Sequence, residues 1–277
     1  MEMLFEKNGK DTVVEVNGVK IGGGYFALIS GPCAVESREQ YFKTAKMVLD
    51  SGANIVRGSV YKPRTSPYSF QGLGRAGLKI LDDFRNEFNV PVETEVMSVG
   101  ELDVVCESVD ILRIGARNMQ NFDLLKAVGK TEKPVILKRG LCATIEEFLL
   151  AAEYILKEGN PNVILCLRGI RTFDSSFRST LELASIPLLK SLTHLPVIVD
   201  PSHAIGEREF VIPSSRAAVV LGADGLIVES HVDPSKALVD GKQSLTPELF
   251  AELSKQLSVL LELEKKKIVY SVDKGLR

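Results

Sequence analysis

From Ala27 onward the sequence alternates short apolar runs with amphipathic stretches eight times, and no other feature restricts the fold as much. The apolar runs predict strands at 27–32, 54–60, 91–97, 111–117, 134–139, 163–168, 196–200 and 225–229. Helical stretches separate them at 37–50, 73–88, 98–108, 121–129, 144–158, about 179–191 and 214–222, with a last helix after Thr246-Pro247. Thr246 can accept a free backbone N–H as N-cap, and Pro247 suits the first helical position because the N–H it lacks has no partner there. Strand–helix–strand crossovers are right-handed, so eight such units wrap into an α/β (β/α)8 TIM barrel. An eight-stranded doubly wound sheet is the competitor. In its dinucleotide-binding form a Gly-x-Gly-x-x-Gly should follow the first strand, whereas Gly22-Gly23-Gly24 precedes it. Ahead of the barrel, Asn17-Gly18 lies between two apolar–polar alternations and predicts a β-hairpin at 12–22. The expected organisation is one domain over 1–277, with that hairpin extension, a catalytic barrel at 27–267, and an extended tail, Ile268 to Val272.

In a barrel the active site lies at the C-terminal ends of the strands, and successive side chains alternate between inside and outside. Polar residues fall at those ends: Cys33 after strand one, Arg57 and Lys62 after two, Glu93 and Glu95 in three. Arg113 and Arg117 are expected on one face of strand four, followed by Lys138, Arg168, the trio Asp200, Ser202 and His203, and finally Glu229 and His231. An unpaired charge inside a barrel costs several kcal/mol, on the order of 3–5 when a partner is missing. Glu93 and Glu95 can neutralise one or two cations. Cations at strands two, four, five and six together point to bound anions.

One loop carries this signal most densely. Arg57, Lys62, Arg64, Thr65 and Ser66 stand with Pro63 and Pro67 between a strand and a helix. Proline stiffens the loop, and a guanidinium fork, an ammonium and hydroxyls together suit a phosphate ester. The net charge is −2, from 34 Lys and Arg against 36 Asp and Glu, so the cations are a local concentration rather than a nucleic-acid surface. The four cysteines form no Cys-x-x-Cys pair, no apolar run nears the ~20 residues of a membrane span, and Met1 to Lys10 lacks a signal-peptide core. A cytoplasmic protein without nucleic-acid or membrane partners is expected.

Loops one, seven and eight adjoin in a closed barrel, so Cys33, His203, Glu229 and Asp240 can converge. Thiolate, imidazole and carboxylates suit Mn, Fe, Zn or Co better than Mg. On spacing alone Cys33 reads more readily as a small buried residue than as a ligand, and His203 reads equally as a ligand and as a hydrogen-bonded loop histidine. His194, at a helix–strand joint, reads as structural.

Several motifs together resemble one family. They are Gly31-Pro32-Cys33-Ala34-Val35-Glu36-Ser37, Tyr61-Lys62-Pro63-Arg64-Thr65-Ser66, Ile114-Gly115-Ala116-Arg117-Asn118 and Ile136-Leu137-Lys138-Arg139-Gly140. Leu167-Arg168-Gly169, Asp200-Pro201-Ser202-His203 and Ile227-Val228-Glu229-Ser230-His231 follow in the same order. The chain resembles, from about Gly24 to Leu260, the 3-deoxy-D-arabino-heptulosonate-7-phosphate (DAHP) synthases. It is most similar to the short microbial type, which is related to the 3-deoxy-manno-octulosonate-8-phosphate synthases.

The resemblance implies condensation of phosphoenolpyruvate with erythrose 4-phosphate, with release of phosphate, at the entry to the shikimate pathway. It implies Arg117, Lys138 and Arg168 at the phosphoenolpyruvate phosphate and Arg57 and Lys62 near its carboxylate. Arg64, Thr65 and the adjoining Ser66 belong to the aldose phosphate, and Cys33, His203, Glu229 and Asp240 hold a divalent metal. That metal has two roles open to it, polarising the aldehyde oxygen or activating a water. Lys62 is the candidate general acid, beside Cys33 and His203 at the reacting centre. The sister enzymes use arabinose 5-phosphate and carry a Lys-Ala-Asn-Arg-Ser type loop where this chain has Lys62-Pro63-Arg64-Thr65-Ser66, which favours the four-carbon sugar. A non-catalytic barrel sensing a phosphometabolite would have lost a ligand or a phosphate arginine, and none is lost. Relatives are commonly homotetramers, so a homotetramer is expected. Only a hairpin precedes the barrel, so weak or no feedback inhibition by aromatic amino acids is expected.

Overall fold

The computed structural model describes residues 3–271. Eight parallel strands close into a barrel: β3 (Ala27–Gly31), β4 (Ile55–Arg57), β5 (Val92–Glu95), β6 (Ile111–Ile114), β7 (Val135–Lys138), β8 (Val163–Leu167), β9 (Val197–Val199) and β10 (Gly225–Glu229). β10 pairs with both β9 and β3, which completes the circle and leaves no barrel edge. The preceding hairpin, β1 (Val14–Val16) and β2 (Val19–Ile21), pairs antiparallel with Val14 opposite Ile21. Its turn residues Asn17 and Gly18 have φ of 47° and 83°, the left-handed pair that a two-residue hairpin turn of this twist requires.

Helices α1 (Arg38–Asp50), α2 (Arg75–Phe88), α3 (Leu102–Ser108), α4 (Phe122–Gly129) and α5 (Ile145–Lys157) surround the first half of the barrel. α6 (Ser185–Leu192), α7 (Pro201–Ile205), α8 (Val211–Val220) and α9 (Pro247–Leu263) surround the rest. Side-chain caps fix several starts. Ser37 accepts from Gln40 N, Thr246 from Leu249 N, and Thr144 with Glu147 forms a reciprocal capping box.

Several boundaries differ from the sequence reading, among them the strand expected at 54–60, which ends at Arg57, and three further cases. The helix expected at about 179 begins at Ser185, because residues 170–184 form an irregular loop closed by pairing of Ile170 with Thr180. The helix expected at 214 begins at Val211, and the five-residue α7 precedes it. The fourth strand stops at Ile114, and Arg117 lies on a 3-10 turn beyond it. Arg113 and Arg117 therefore do not share a strand face. Of the tail, Lys267 pairs with Tyr25 beside the start of β3 and the Val269 carbonyl accepts from Asn54, while Val272 lies outside the described residues.

The barrel interior has two layers, and the period-two alternation of strands explains both. Ile29, Ile55, Ile111, Ile136, Ile164, Ile198 and Ile227 form a buried apolar layer toward the N-terminal end. Two residues further along their strands stand Arg57, Arg113, Lys138 and Glu229, all buried. Val14, Val16, Val19 and Ile21 of the hairpin join the isoleucine layer, so the hairpin plugs the barrel opposite the charged end. His194 ties the chain entering the hairpin to the barrel, one ring nitrogen 2.7 Å from the Thr12 hydroxyl and the other 2.7 Å from the Leu4 carbonyl. Among the described residues no helix is long and apolar enough to cross a membrane.

Because Ile21 is fully buried in the plug, Ile21→Ala should cost about 2–5 kcal/mol. A lower denaturant midpoint with unchanged turnover is the expected result, and a turnover loss as large as the stability loss would contradict the plug's separation from the active end.

Candidate active site

The charged layer is largely self-paired. Arg113 donates to Glu93 and Glu95, both at 2.9 Å, and to the Ser59 hydroxyl at 2.7 Å. Arg57 donates to Glu229 at 3.1 Å and lies 3.7 Å from Glu93. Arg57 and Arg113 thus neutralise carboxylates that could not otherwise sit in a barrel interior. Two glycines make room for this packing. A Cβ on Gly31, at φ +150°, would lie 2.2 Å from the Arg57 carbonyl, and one on Gly115 would lie 2.1 Å from a Glu95 oxygen.

Above this layer opens a cavity of about 340 Å³. Of the residues expected at the site, Lys62, Arg64, Thr65, Ser66, Arg117, Lys138, Arg168, His203 and Asp240 line it. Cys33 and Glu229 lie beneath the lining, buried, and Arg57 is fully buried against Glu229 rather than on the wall. Glu95, Arg113, Arg171, Arg178 and Ser179 also line the cavity. Arg171 and Arg178 come from the irregular loop after β8, where the sequence has no periodicity to place them. Their one signal is the strand-end concentration of cations that drew attention to Arg168.

The cations divide by what they already hold. Lys138 is ion-paired with Asp200. Arg64, Arg117 and Arg171 have no carboxylate partner among the described residues. Arg168 donates to the Ser179 hydroxyl at 3.2 Å and the His203 carbonyl at 2.9 Å, neither of which carries a charge. Burial pulls the Arg168 guanidinium below its ordinary pKa, and Arg178 and Arg117 add to the fall against the pull of Asp200. Such a group is stabilised by an anion. With the backbone carbonyl and hydroxyl partners fixed, the walls are built for phosphate and carboxylate oxygens.

At one end of the cavity four donors converge. One ligand atom from each of Cys33, His203, Glu229 and Asp240 lies within 4.8 Å of the others. Asp200 positions the histidine twice. One oxygen caps α7 by accepting from His203 N at 2.9 Å, and the other is 2.7 Å from Nδ1. An ionised carboxylate can only accept, so Nδ1 carries the proton and Nε2 presents its lone pair. Burial lowers the His203 pKa against the raising effect of Asp200 and Glu229, which keeps the ring neutral. Burial works against the Glu229 carboxylate, and the neighbouring cations, Arg57 and Lys62, pull its pKa the other way.

Cys33 Sγ lies 3.2 Å from Asp240 and 3.0 Å from Lys62 Nζ. Burial, with Glu229 adding, pushes its thiol well above the ordinary range against the opposing pull of Lys62. The two loops that carry Cys33 and Asp240 are tied together by Glu36, which accepts from Leu238 N at 2.8 Å.

These residues fit a divalent cation. The Nε2 lone pair and a Glu229 oxygen approach to 3.1 Å, and two acceptors at that distance repel unless a positive charge lies between them. The carboxylate behind the imidazole is the usual orienting partner of a metal-binding histidine. Sulfur, nitrogen and oxygen donors in one cluster suit a borderline transition ion.

Comparison with known proteins points to one family. A family model described as the DAHP synthetase I family matches residues 10–263. The phospho-2-dehydro-3-deoxyheptonate aldolase of Thermotoga maritima is 52% identical over 257 residues, which covers 93% of this chain and 76% of that protein. A 2-dehydro-3-deoxyphosphooctonate aldolase of Syntrophobacter fumaroxidans is 34% identical over 261 residues, covering 88% of this chain and 90% of that one. The crystal structure of the Thermotoga DAHP synthase superposes with a TM-score of 0.90 at 50% identity, over 93% of this chain and 75% of that chain. A truncated form of the same organism's enzyme gives a TM-score of 0.87 at 47% identity, over 93% of this chain and 95% of that one. With its barrel, its cation-lined cavity and a family match across most of its length, the chain belongs to the DAHP synthetase I family.

Proposed function

We propose that this chain condenses phosphoenolpyruvate with erythrose 4-phosphate and one water to give DAHP and inorganic phosphate, as a metal-dependent transferase at the head of the shikimate pathway. The observation that carries this reading is the cavity itself, where cations without carboxylate partners line the walls and a four-donor cluster stands at one end. The 52% identity to an aldolase of that name favours the heptulosonate product over the octulosonate one. Two polyanions must meet before any bond forms, so positioning and charge neutralisation are the chain's first tasks.

Arg117, Lys138 and Arg168 hold the phosphoenolpyruvate phosphate. Arg64 and Thr65, with Ser66 beside them, hold the sugar phosphate at the other side. Lys62 stands between these groups and the cluster, and donates a proton to the alkoxide that forms as C3 of phosphoenolpyruvate attacks the aldehyde; water adds at the electron-deficient C2, and phosphate leaves from that carbon. Arg57, held on Glu229, lies beneath Lys62, and both donate to the Cys33 carbonyl, at 3.5 and 3.3 Å. Cys33, His203, Glu229 and Asp240 bind a divalent ion, Mn, Fe, Zn or Co, which supplies Lewis acidity to the site when bound. The enzyme works in the cytoplasm as a homotetramer, and the exposed Phe173 and Phe177 offer apolar surface for a subunit contact.

Phosphate release from phosphoenolpyruvate should require an aldose and favour erythrose 4-phosphate over arabinose 5-phosphate by at least about tenfold. Preference for the five-carbon sugar would assign the chain to the sister reaction. Chelation should abolish release and a divalent ion restore it. Because Cys33 is a protonated thiol before the ion enters, loading the metal-free protein near neutral pH should release about one proton, and Cys33→Ala should remove that release. Lys62→Ala should lower kcat by about 10²–10⁴-fold with a smaller change in KM. A change in KM alone would make Lys62 a binding residue.

A further inference from the structure

Gln243 is 3% exposed and lies among charged groups. Its Nε2 donates to Glu229 Oε2 at 2.5 Å, and its Oε1 accepts from Arg178 Nη1 at 2.9 Å. A carboxylate only accepts and a guanidinium only donates, so the amide can sit one way round. Of the common side chains of that length, only an amide satisfies both neighbours. A glutamate there would oppose Glu229, a lysine would oppose Arg178, and a methionine would leave both unbonded.

The consequence falls on Glu229. Its Oε1 already meets Arg57 and His203, each at 3.1 Å, and its main-chain N–H donates to Ser202 Oγ at 3.0 Å. The remaining oxygen is committed to Gln243. The carboxylate is therefore turned so that one defined oxygen faces Cys33, His203 and Asp240. Arg178 extends the same link to a second member of the cluster, its Nη1 lying 3.5 Å from Asp240 Oδ1. Arg178 also lines the cavity, so the link runs from the wall where substrate binds to the buried carboxylate.

We infer that Gln243 is a positioning residue for the metal site, fixing Glu229 as a one-oxygen ligand, and that Arg178 holds the amide in the required orientation. This inference rests on the reading of Cys33, His203, Glu229 and Asp240 as metal ligands. A second carboxylate oxygen free to swing toward the ion would change coordination number, and partners of this kind tune affinity by about 10–100-fold.

The test is titration of the chelator-treated full chain with Co²⁺, followed by the near-ultraviolet thiolate-to-cobalt band and the visible bands that report coordination number. Wild type should bind one Co²⁺ with both signals. Gln243→Met should weaken Co²⁺ binding by about 10–100-fold and alter the visible bands, while the thiolate band keeps its wavelength because Cys33 still binds. Arg178→Met, at a partly exposed position that cannot compromise folding through burial, should shift affinity in the same direction by a smaller factor. Thermal unfolding of the metal-free variants separates misfolding from loss of positioning. If wild type binds no Co²⁺, the metal reading itself fails. If wild type binds and both variants bind as tightly with unchanged visible bands, the ligand reading stands and the role of Gln243 is overturned.

Discussion

The structure depends on how a closed barrel carries charge through its middle. Arg57, Glu93, Arg113, Glu95 and Glu229 occupy one buried layer, and none could be there alone, because an unpaired buried ion costs several kcal/mol, on the order of 3–5 when its partner is removed. Pairing solves this locally and also sorts the cations by task. Arg57 and Arg113 spend their charge on carboxylates of the layer and become its framework. Arg117 and Arg168 lie further out without such partners, and their charge is available to ligands. The apolar hairpin closes the opposite end, so water reaches the charged layer from one side.

The same layer prepares the donor cluster. Glu229 belongs to both, bonded to Arg57 on one side and facing His203 on the other. Asp200 has a similar double role, paired with Lys138 and holding the His203 ring. The framework ion pairs, the candidate ligands and the cavity wall are thus steps in one hydrogen-bonded network. A substitution in the framework is expected to be read at the site even where it touches no ligand.

Much of the fold was legible in the sequence because period-two alternation and helix caps are local signals. The pairs Ile55 and Arg57, Ile111 and Arg113, Ile136 and Lys138, and Ile227 and Glu229 spell out both interior layers in four short strings. The candidate site was legible as strand-end residue types and as family motifs, and the structure brings Cys33, His203, Glu229 and Asp240 within reach of one another. What stayed hidden depends on contacts distant in sequence. Arg57 looks like a substrate cation until Glu229, 172 residues away, is seen to claim it. Arg117 was misplaced by one structural step, because a strand and the 3-10 turn after it share composition at that point. Arg171, Arg178 and Gln243 lie in loops where no periodicity announces which way a side chain turns.

The loop Lys62 to Ser66 shows how these constraints meet. Its backbone is held at both ends, Lys62 N donating to the Gln71 carbonyl at 2.9 Å and Gly74 N to the Val60 carbonyl at 2.9 Å. Pro63 and Pro67 stiffen what lies between. Lys62 is anchored inward on Cys33, so Arg64, two residues on, is carried to the cavity wall while remaining half-buried. A loop fixed in this way cannot lengthen its reach to suit a longer sugar phosphate. On the proposed assignment of Arg64 to the aldose phosphate, the reacting aldehyde and the terminal phosphate must together span the distance from the donor cluster to the Arg64 guanidinium. Under that proposal, the stiffness of this connection would select sugar length along with the residues that touch the sugar.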